Sequence, residues 1–297
     1  MRYQTQLKIM LAPFLIGLAL LVALPAAASL FVAFLNYSPL RPTTFTWVGL
    51  EQFAKLKEDP LFWTALGNTL LYTAISVPLR MVGALGMALF LEKRRKGIGF
   101  YRSAAYVPTI IPEVAYALMW LWIFNPLFGP LSQILKAFGL QEQTLLLDPV
   151  GAKAAIITMG VWQIGEGIVI LLAALRDISP DLYDAALVDG ANWWARFRKL
   201  IMPLIAPTFL LLLFRTTIVT LQDNFTPALI VTTTDSGNPG GPYYATYFLP
   251  QKIYVDAFQD FQFSYGAAMI WVLYAIATIT IFLQYITTRK WSTAAYD

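Results

Sequence analysis

The sequence predicts an all-α, polytopic membrane protein with six transmembrane helices. Of its 297 residues, 58% are hydrophobic and 13% are charged, whereas soluble domains average roughly 45–50% and 25%. Six apolar stretches reach the length of about 20 residues that a helix needs to cross the hydrocarbon core. We therefore expect residues 1–297 to form a single transmembrane domain. The six stretches run from Ile9 to Leu35, Thr64 to Leu91, Ser103 to Phe124, Ala154 to Leu175, Ile205 to Val231 and Ser264 to Thr287.

The first stretch has one feature of a cleaved signal peptide. The run LPAAASL, from Leu24 to Leu30, places small residues in a cleavage-like spacing. However, the apolar run continues to Leu35, which is too long for a typical signal-peptide core. We therefore expect the stretch to be retained as the first span.

Composition also excludes several kinds of chemistry. The chain has no cysteine and no histidine, which excludes thiol nucleophiles, disulfides, histidine metal sites and Ser-His or Cys-His pairs. We therefore expect no catalytic residues, no metal site and no cofactor on this chain. The net charge of +4 is small, so nucleic acid is not an expected partner.

The positions of Lys and Arg predict the orientation of the spans, because cytoplasmic loops carry the excess of positive charge. With the N-terminus inside, the cytoplasmic set of basic residues is more than twice as large as the outer set. Both termini and segment 176–204 are therefore expected in the cytoplasm. The cytoplasmic set is Arg2, Lys8, Lys93, Arg94, Arg95, Lys96, Arg102, Arg176, Arg196, Arg198, Lys199, Arg289 and Lys290; the outer set is Arg41, Lys55, Lys57, Lys136, Lys153 and Lys252.

Between the fourth and fifth stretches lies a polar segment, RDISPDLYDAALVDGANWWARFRKLIMPLIAP. Ser179, Pro180 and Asp181 form a helix start, with a hydroxyl N-cap, proline at the first helical position and a carboxylate in the first turn. Gly190 is suited to the left-handed position that ends a helix. The pattern predicts a short helix that ends at a glycine corner.

A second helical pattern begins near Asn192 and is amphipathic. Such a helix suits the membrane interface, and Pro203 and Pro207 are expected to bend the chain back toward the fifth span. The segment is either a solvated loop held by this helix or a projection that docks on a partner. The apolar positions are Trp193, Phe197, Leu200 and Ile201.

The run DAALVDGANWWARFRKLIMPLIAP resembles the cytoplasmic EAA loop of permease subunits in bacterial ABC importers. The family pattern is EAA, then DGA, then a phenylalanine and a proline pair, and Asp184 stands where Glu is usual. The matching positions are Asp184, Ala185, Ala186, Asp189, Gly190, Ala191, Phe197, Pro203 and Pro207.

Two further segments resemble the carbohydrate-importing members of the same family. The segment from Gly49 to Thr73 is similar to their first outer loop and second span, and the segment from Gly240 to Met269 to their last outer loop and sixth span. The first points to the subgroup of the maltose and glycerol-phosphate first permeases.

This resemblance implies a type I ABC importer permease fold in the bacterial inner membrane. It also implies a second permease subunit as heterodimer partner, two ATP-binding subunits and an extracytoplasmic sugar-binding protein. The cargo would be a sugar, such as an oligosaccharide, or a related polyol or glycerol phosphate. ATP and Mg would be bound by the partner ATPase, and the chain contains no G-x-x-x-x-G-K-[ST] motif of its own. The coupling residues would be those at the matching positions in segment 176–204.

Four charged residues, Arg80, Glu113, Glu166 and Arg215, lie within apolar stretches. A charge facing lipid at the centre of a span costs about 2.5–3.5 kcal/mol on insertion scales, so these side chains should face protein or water. They form either a polar pathway for substrate or structural Arg–Glu pairs. The prolines and glycines around Glu113 and Glu166 are typical of broken or closely packed helices.

The polar run at Gln222, Asp223 and Asn224 interrupts the fifth stretch and is followed by Thr226. Transporters often form substrate sites at broken helices. Asp223, Asn224 and Thr226 are therefore candidates for the substrate pathway, together with Glu113 and Glu166. Trp162 could stack on a sugar ring, although a tryptophan near a span end equally suits the interfacial aromatic belt.

A rival function is that of an ion-coupled secondary transporter of a small polar solute, with Glu113 and Glu166 as proton carriers. Six spans are compatible with such a carrier. However, the two halves of the sequence show no convincing repeat, and a carrier does not need a helix–glycine–helix loop. A membrane enzyme is less favoured still, because no nucleophile and base pair is present.

Overall fold

A computed structural model of the chain describes residues 2–40, 46–93, 95–139, 145–222, 225–232 and 239–293. The described chain is mostly helical and divides into two compact units. The first unit contains Met1–Trp63 and Lys252–Ala275, and the second contains Thr64–Gln251 and Ile276–Asp297.

Helices account for nearly all the regular structure in the described residues. The α-helices are α1 (Arg2–Leu18), α2 (Leu24–Val32), α3 (Glu51–Glu58), α4 (Pro60–Glu92), α5 (Ile98–Tyr106), α6 (Glu113–Ile123), α7 (Pro130–Ala137), α8 (Pro149–Trp162), α9 (Gly165–Arg176), α10 (Pro180–Val188), α11 (Trp193–Arg196), α12 (Met202–Gln222), α13 (Phe225–Thr232), α14 (Leu249–Tyr254) and α15 (Phe263–Thr293). Single π-helical turns occur at Ala19–Ala23, Phe197–Ile201 and Val255–Gln259, and short 3₁₀ turns at Val107–Thr109, Leu145–Leu147 and Pro242–Tyr244.

The described helices supply candidates for all six predicted spans. Five are continuous, and the remaining one is the pair Ile98–Thr109 and Glu113–Ile123, whose axes differ by 97°. The predicted span from Ser103 to Phe124 is therefore broken, which is one of the two arrangements that the prolines and glycines around Glu113 indicate. The cause lies at Pro112, which is extended and has no amide hydrogen to donate, so the helix cannot pass through it. The five continuous spans are Gln6–Val32, Pro60–Glu92, Pro149–Arg176, Trp193–Gln222 and Phe263–Thr288.

The fifth span begins earlier than expected. It runs without a sharp bend from Trp193 to Gln222, so the amphipathic segment is its first part and not a separate interfacial helix. Pro203 and Pro207 lie inside this helix and do not end it. Because Pro203 cannot donate a backbone hydrogen bond to the carbonyl of Lys199, the preceding turn, Phe197–Ile201, widens to a π turn.

In the first unit, a small antiparallel hairpin follows the first span. Its strands are β1 (Leu35–Asn36) and β2 (Thr46–Trp47), with Leu35 opposite Trp47. The ring of Trp47 stacks on Phe34 with centroids 5.6 Å apart. The side-chain amide of Gln52, on α3, donates to the Leu35 carbonyl over 3.2 Å. These contacts hold α3 against the hairpin.

The first unit also contains a buried ionic cluster, formed by Asp59, Lys252, Asp256 and Tyr265. The Lys252 ammonium, whose side chain is only 5% exposed, lies 2.8 Å from Asp59 Oδ2 and 2.9 Å from Asp256 Oδ2. The Tyr265 hydroxyl donates to Asp59 Oδ2 over 2.7 Å. Asp59 Oδ1 accepts from the amides of Leu61 and Phe62 and so caps α4.

The charges in this cluster shift one another's pKa. Burial would lower the pKa of Lys252, but the hydrogen bonds to both carboxylates outweigh it and raise that pKa above its ordinary value. Burial would raise the pKa of Asp59, yet the bonds from Lys252 and Tyr265 lower it. For Asp256 burial prevails, and the pKa is raised despite the lysine.

The second unit has two hydrophobic cores. The α4–α9–α12 core includes Met81, Leu171 and Ile205, and the α6–α8–α13 core includes Tyr116, Ile156 and Val231. Asn68, near the start of α4, donates to the carbonyls of Tyr244 and Tyr247 over 2.8 and 3.0 Å. These bonds attach the loop that precedes α14 to the α4 helix.

Candidate functional site

Two adjoining cavities lie between the cores of the second unit. The larger, of about 250 Å³, is bordered by Met81 and Leu212 of the α4–α9–α12 core. The smaller, of about 60 Å³, is bordered by Tyr72 and Tyr116 of the α6–α8–α13 core. The side chains that line both cavities are Arg80, Gln163 and Val219. The two cavities therefore meet at one wall that contains a charged residue.

Glu166 and Arg215 form an ion pair in the wall of the larger cavity. Arg215 Nη1 donates to Glu166 Oε2 over 2.6 Å, which links the first turn of α9 to the middle of α12. The two side chains are 50% and 49% exposed. One of the structural Arg–Glu pairs considered from the sequence is thus present, and it is also part of the polar cavity.

Arg80 lies at the shared wall and makes weaker contacts. Its Nη1 donates to Thr220 Oγ1 and its Nη2 to the Gln163 carbonyl, each over 3.4 Å. Among the described residues, no carboxylate oxygen lies within 4.0 Å of its guanidinium nitrogens. The guanidinium therefore retains hydrogen-bonding capacity toward the cavities.

A local departure from helical geometry between α8 and α9, within the span Pro149–Arg176, positions this polar wall. The backbone leaves the helical path at Gln163, and α9 starts again at Gly165. A Cβ at Gly165 would lie 2.8 Å from the Ala105 carbonyl oxygen and 3.0 Å from Tyr106 Cα. Only glycine permits this close approach of α9 to α5, and the approach places Glu166 in the first turn, at the cavity.

The structure brings together some of the pathway residues predicted from the sequence. Glu166 lines the larger cavity and Glu113 the smaller. Thr226 lies in α13 next to Pro227, which lines the smaller cavity. Trp162 lines neither cavity; its ring lies edge-on to Trp120 with centroids 6.3 Å apart. The predicted pathway residues Asp223 and Asn224 lie outside the described residues.

The coupling segment, residues 176–204, begins with the predicted capped helix. The Ser179 hydroxyl accepts from the Asp181 amide over 3.3 Å, and Pro180 is the first residue of α10. The helix ends at Gly190, whose φ is +72°. The amide of Ala191 donates to the Ala186 carbonyl over 2.9 Å and that of Gly190 to Leu187 over 3.0 Å. This is the Schellman pattern, and it confirms the glycine corner.

The chain after the corner starts the fifth span at once. Asn192 accepts from the Ala195 amide over 2.8 Å and caps α11. The Trp193 and Trp194 rings both stack on Phe197 at 5.5 Å, and Phe197 packs on the α4–α9–α12 core. The aromatic stack thus fixes the start of this helix to the protein interior.

One side of α10 is anchored to the same core. Tyr183 packs against it, and its hydroxyl donates to Glu92 Oε1, at the end of α4, over 3.4 Å. Burial, reinforced by the Glu92 carboxylate, raises the pKa of Tyr183 to about 12. The hydroxyl therefore remains a hydrogen-bond donor at physiological pH.

Three apolar side chains of α10, those of Leu182, Leu187 and Val188, are exposed at different positions around the helix. Val188 is 88% exposed, and among the large hydrophobic side chains of the described residues only Tyr243 is more exposed. Asp184 and Asp189 are also exposed, and neither has an ion-pair partner among the described residues. A short, doubly capped helix that exposes apolar and acidic side chains is suited to docking on a partner protein.

Sequence patterns did not indicate several of these contacts. The pairing of Arg215 with Glu166 and of Lys252 with Asp59 could not be derived, because the paired residues lie 49 and 193 residues apart. The side-chain amide of Asn68 holds a loop that is distant in sequence. In the sequence, Asn68 stood out only as a member of the segment from Gly49 to Thr73 that resembles the carbohydrate importers. The one available signal for Arg80, Glu166 and Arg215 was a charge inside an apolar stretch.

A multi-span helical chain with a charged cavity and a helix–glycine–helix segment between its fourth and fifth spans has the features of a transporter permease subunit. Residues 81–293 match the family of binding-protein-dependent transport system inner membrane components. The chain belongs to this family, and it is therefore a multi-pass inner-membrane protein and a transport subunit of ABC importers.

Similar proteins agree with this assignment. The chain is 34% identical to the probable ABC transporter permease protein YesP of Bacillus subtilis (strain 168), over 95% of this chain and 89% of that protein. It is 31% identical to the lactose transport system permease protein LacF of Rhizobium radiobacter, over 82% and 81%. A crystal structure of a bacterial ABC transporter involved in the import of the acidic polysaccharide alginate has a chain that superimposes with a TM-score of 0.82. That match covers 97% of this chain and 96% of the other at 22% identity, and it confirms the predicted type I importer permease fold.

Proposed function

We propose that this chain forms part of the transmembrane pathway of an ATP-driven sugar importer and that segment 176–204 couples it to an ATP-hydrolysing partner. The observation that carries the proposal is a continuous mechanical route. The α10 helix is joined through the Gly190 corner to one unbroken helix, Trp193–Gln222. Arg215, Thr216 and Val219 of that helix line the larger cavity. A displacement of α10 would therefore move the cavity wall.

The docking surface on α10 agrees with the role of coupling. A partner that covers Leu182, Leu187 and Val188 would remove apolar surface from water, at about 25 cal/mol per Å², and would bring Asp184 and Asp189 toward basic groups. ATP and Mg would be bound by that partner. By the distribution of Lys and Arg, the segment and both termini lie in the cytoplasm.

The cavity suits a hydroxyl-rich cargo. Its lining includes Thr109, Gln163 and Thr216 together with the Glu166–Arg215 pair, which can exchange hydrogen bonds with hydroxyl groups. The related lactose permease and the alginate importer are named for carbohydrate cargo. A second permease subunit would complete the pathway, and an extracytoplasmic sugar-binding protein would deliver the sugar.

The ion-coupled alternative finds less support in the cavity. Glu166 is engaged with Arg215 at 2.6 Å, so its carboxylate already has a structural partner in the cavity wall. Glu113 lines the smaller of the two adjoining cavities, so the two glutamates do not line the same cavity. The coupling segment has no role in such a carrier.

Substitution of the most exposed apolar residue on α10 tests the proposal. Val188→Asp should reduce copurification of the ATPase partner and substrate-stimulated ATP hydrolysis in reconstituted membranes, because a carboxylate would be buried in the interface. The fold should survive, since the side chain is exposed in the free chain. The control is Leu40→Asp, which changes another exposed apolar residue, 69% exposed, in a predicted outer loop. Normal copurification and hydrolysis with Val188→Asp would refute the docking role.

A further inference from the structure

Two arginines line the larger cavity, and they differ in how their charge is compensated. Arg215 has a carboxylate partner at 2.6 Å, whereas Arg80 has a hydroxyl and a backbone carbonyl at 3.4 Å each. Both hydrogen bonds of Arg80 are at the long limit, and neither acceptor carries a charge. Arg80 is thus the cation in the cavity wall that lacks a charged acceptor among the described residues.

For a guanidinium at the position of Arg80, the lack of a charged acceptor among the described residues is energetically costly. Arg80 lies within the α4 span, Pro60–Glu92, where ionisable groups normally pair with one another and mark substrate pathways. It is partly buried, and both cavities open onto it. A guanidinium presents a planar set of donors that matches a carboxylate, phosphate or sulfonate group. The ligand that best complements this site is therefore an anion.

We infer that Arg80 binds an acid group of the transported sugar, so that the cargo is an anionic carbohydrate rather than a neutral one. The inference rests on the proposed function and names its substrate class. It selects between the two kinds of cargo for which related proteins are named, neutral lactose and acidic alginate.

The other charges that line the cavities are consistent with recognition of an acid group by Arg80 alone. Two arginines and two glutamates, Glu113 and Glu166, line the cavities, so they sum to zero and do not attract anions as a group. Glu166 is already occupied by Arg215. Discrimination therefore comes from the donors of Arg80, while Gln163 and Thr216 remain available for the hydroxyl groups of the same sugar.

Direct binding of a matched pair of sugars tests the inference. D-galacturonate and D-galactose differ by a carboxylate in place of a hydroxymethyl group. The importer, copurified with its partner subunits, is placed in phosphatidylcholine nanodiscs so that the lipid adds no net negative charge. The shift in thermal unfolding temperature is then titrated with each sugar at constant ionic strength. Galacturonate should stabilise the wild type at lower concentration than galactose.

Variants of Arg80 should remove this preference. With Arg80→Gln, the half-saturating concentration of galacturonate should rise about tenfold or more, because a hydrogen bond between two charged groups is lost. Arg80→Lys should retain part of the preference. Lys55→Gln is the control, since it removes an exposed lysine paired with Glu51. If Arg80→Gln fails to assemble, the inference is still tested by comparing the binding of galacturonate and of galactose to the wild type.

The inference is overturned if the wild type binds both sugars equally, or if Arg80→Gln keeps the preference for the acid. ATP-driven uptake of neutral sugars alongside either result would leave the proposed function intact. Absence of ATP-driven uptake for every sugar would overturn the proposed function itself.

Discussion

The need for glycine at position 190 comes from the backbone conformation alone and not from packing. The φ of +72° at Gly190 lies in the left-handed region, and an added Cβ would meet nothing within 4 Å. A larger side chain would therefore meet no clash there but would strain the backbone. For this reason, substitutions at the corner separate conformation from packing more cleanly than most glycine substitutions do.

Gly190→Val should impair transport while leaving assembly largely intact. A β-branched residue in this conformation costs about 1 kcal/mol or more, and the strain would loosen the corner that joins α10 to the fifth span. Gly190→Asn is the control, because asparagine tolerates the left-handed region. Uptake and substrate-stimulated hydrolysis are measured in reconstituted membranes. Wild-type coupling by Gly190→Val would argue against a rigid corner.

Lys252 is the central residue of the buried ionic cluster, and its removal should be costly. Lys252→Met leaves Asp59 and Asp256 near each other, at 22% and 12% side-chain exposure, without their shared cation. Breaking a buried pair in this way costs about 3–5 kcal/mol of stability. The measurement is the unfolding midpoint in detergent. Lys55→Met, at an exposed ion pair, should cost at most about 1 kcal/mol.

The raised pKa of Lys252 also predicts a pH dependence. A group whose pKa is higher in the folded state stabilises the protein fully below its unfolded pKa, here ordinarily 10.5, and loses that contribution as the pH rises through the folded value. The stability advantage of the wild type over Lys252→Met should therefore shrink at pH values above 10.5. An advantage that persisted unchanged there would contradict the ionic role of Lys252.

At the level of elements, the Glu166–Arg215 pair joins α9 to α12 across the cavity wall. Because both side chains are about half exposed, Glu166→Gln should lower stability by less than about 1 kcal/mol, whereas uptake should fall. The reversed pair, Glu166→Arg with Arg215→Glu, should recover part of the uptake. Unfolding midpoints and uptake are compared for the single and double variants. Full activity of Glu166→Gln would show that the pair has no part in transport.

The sequence predicts some elements well because their signals are local. The Ser179 cap, the Gly190 corner and most of the apolar spans depend on neighbouring residues, and the structure has them as expected. Pro108 and Pro112 indicate that the third span is broken, but they do not give the angle between its two helices. The direction of a helix after a break depends on tertiary packing.

Other elements depend on contacts that no local pattern encodes. The continuity of the fifth helix through Pro203 depends on a π turn and on the packing of Phe197 against a core. Asp59, which pairs with Lys252, and Glu166, which pairs with Arg215, come from distant parts of the chain. In the candidate site, the sequence identified charged side chains within the apolar stretches. Which of the two cavities each side chain lines could be seen only in the folded structure.

At the scale of the whole molecule, the orientation in the membrane is a prediction that can be tested directly. The chain contains no cysteine, so single cysteines can be introduced without a background. Lys96→Cys should be shielded in intact spheroplasts from a membrane-impermeant maleimide, and Lys55→Cys should react, since both residues are exposed on the protein surface. Both should react after lysis. The reverse pattern in intact spheroplasts would invert the predicted topology.

The most direct test of the central claim, that ATP hydrolysis by a partner drives sugar uptake through this chain, is transport by the assembled importer in proteoliposomes. The complex, with its extracytoplasmic binding protein, is supplied with a radiolabelled sugar, and uptake is measured with ATP, with a non-hydrolysable ATP analogue and with a protonophore. The account predicts uptake that requires hydrolysable ATP, stops when the partner's ATPase site is inactivated and is unaffected by the protonophore. Uptake that continues without ATP and collapses with the protonophore would contradict it.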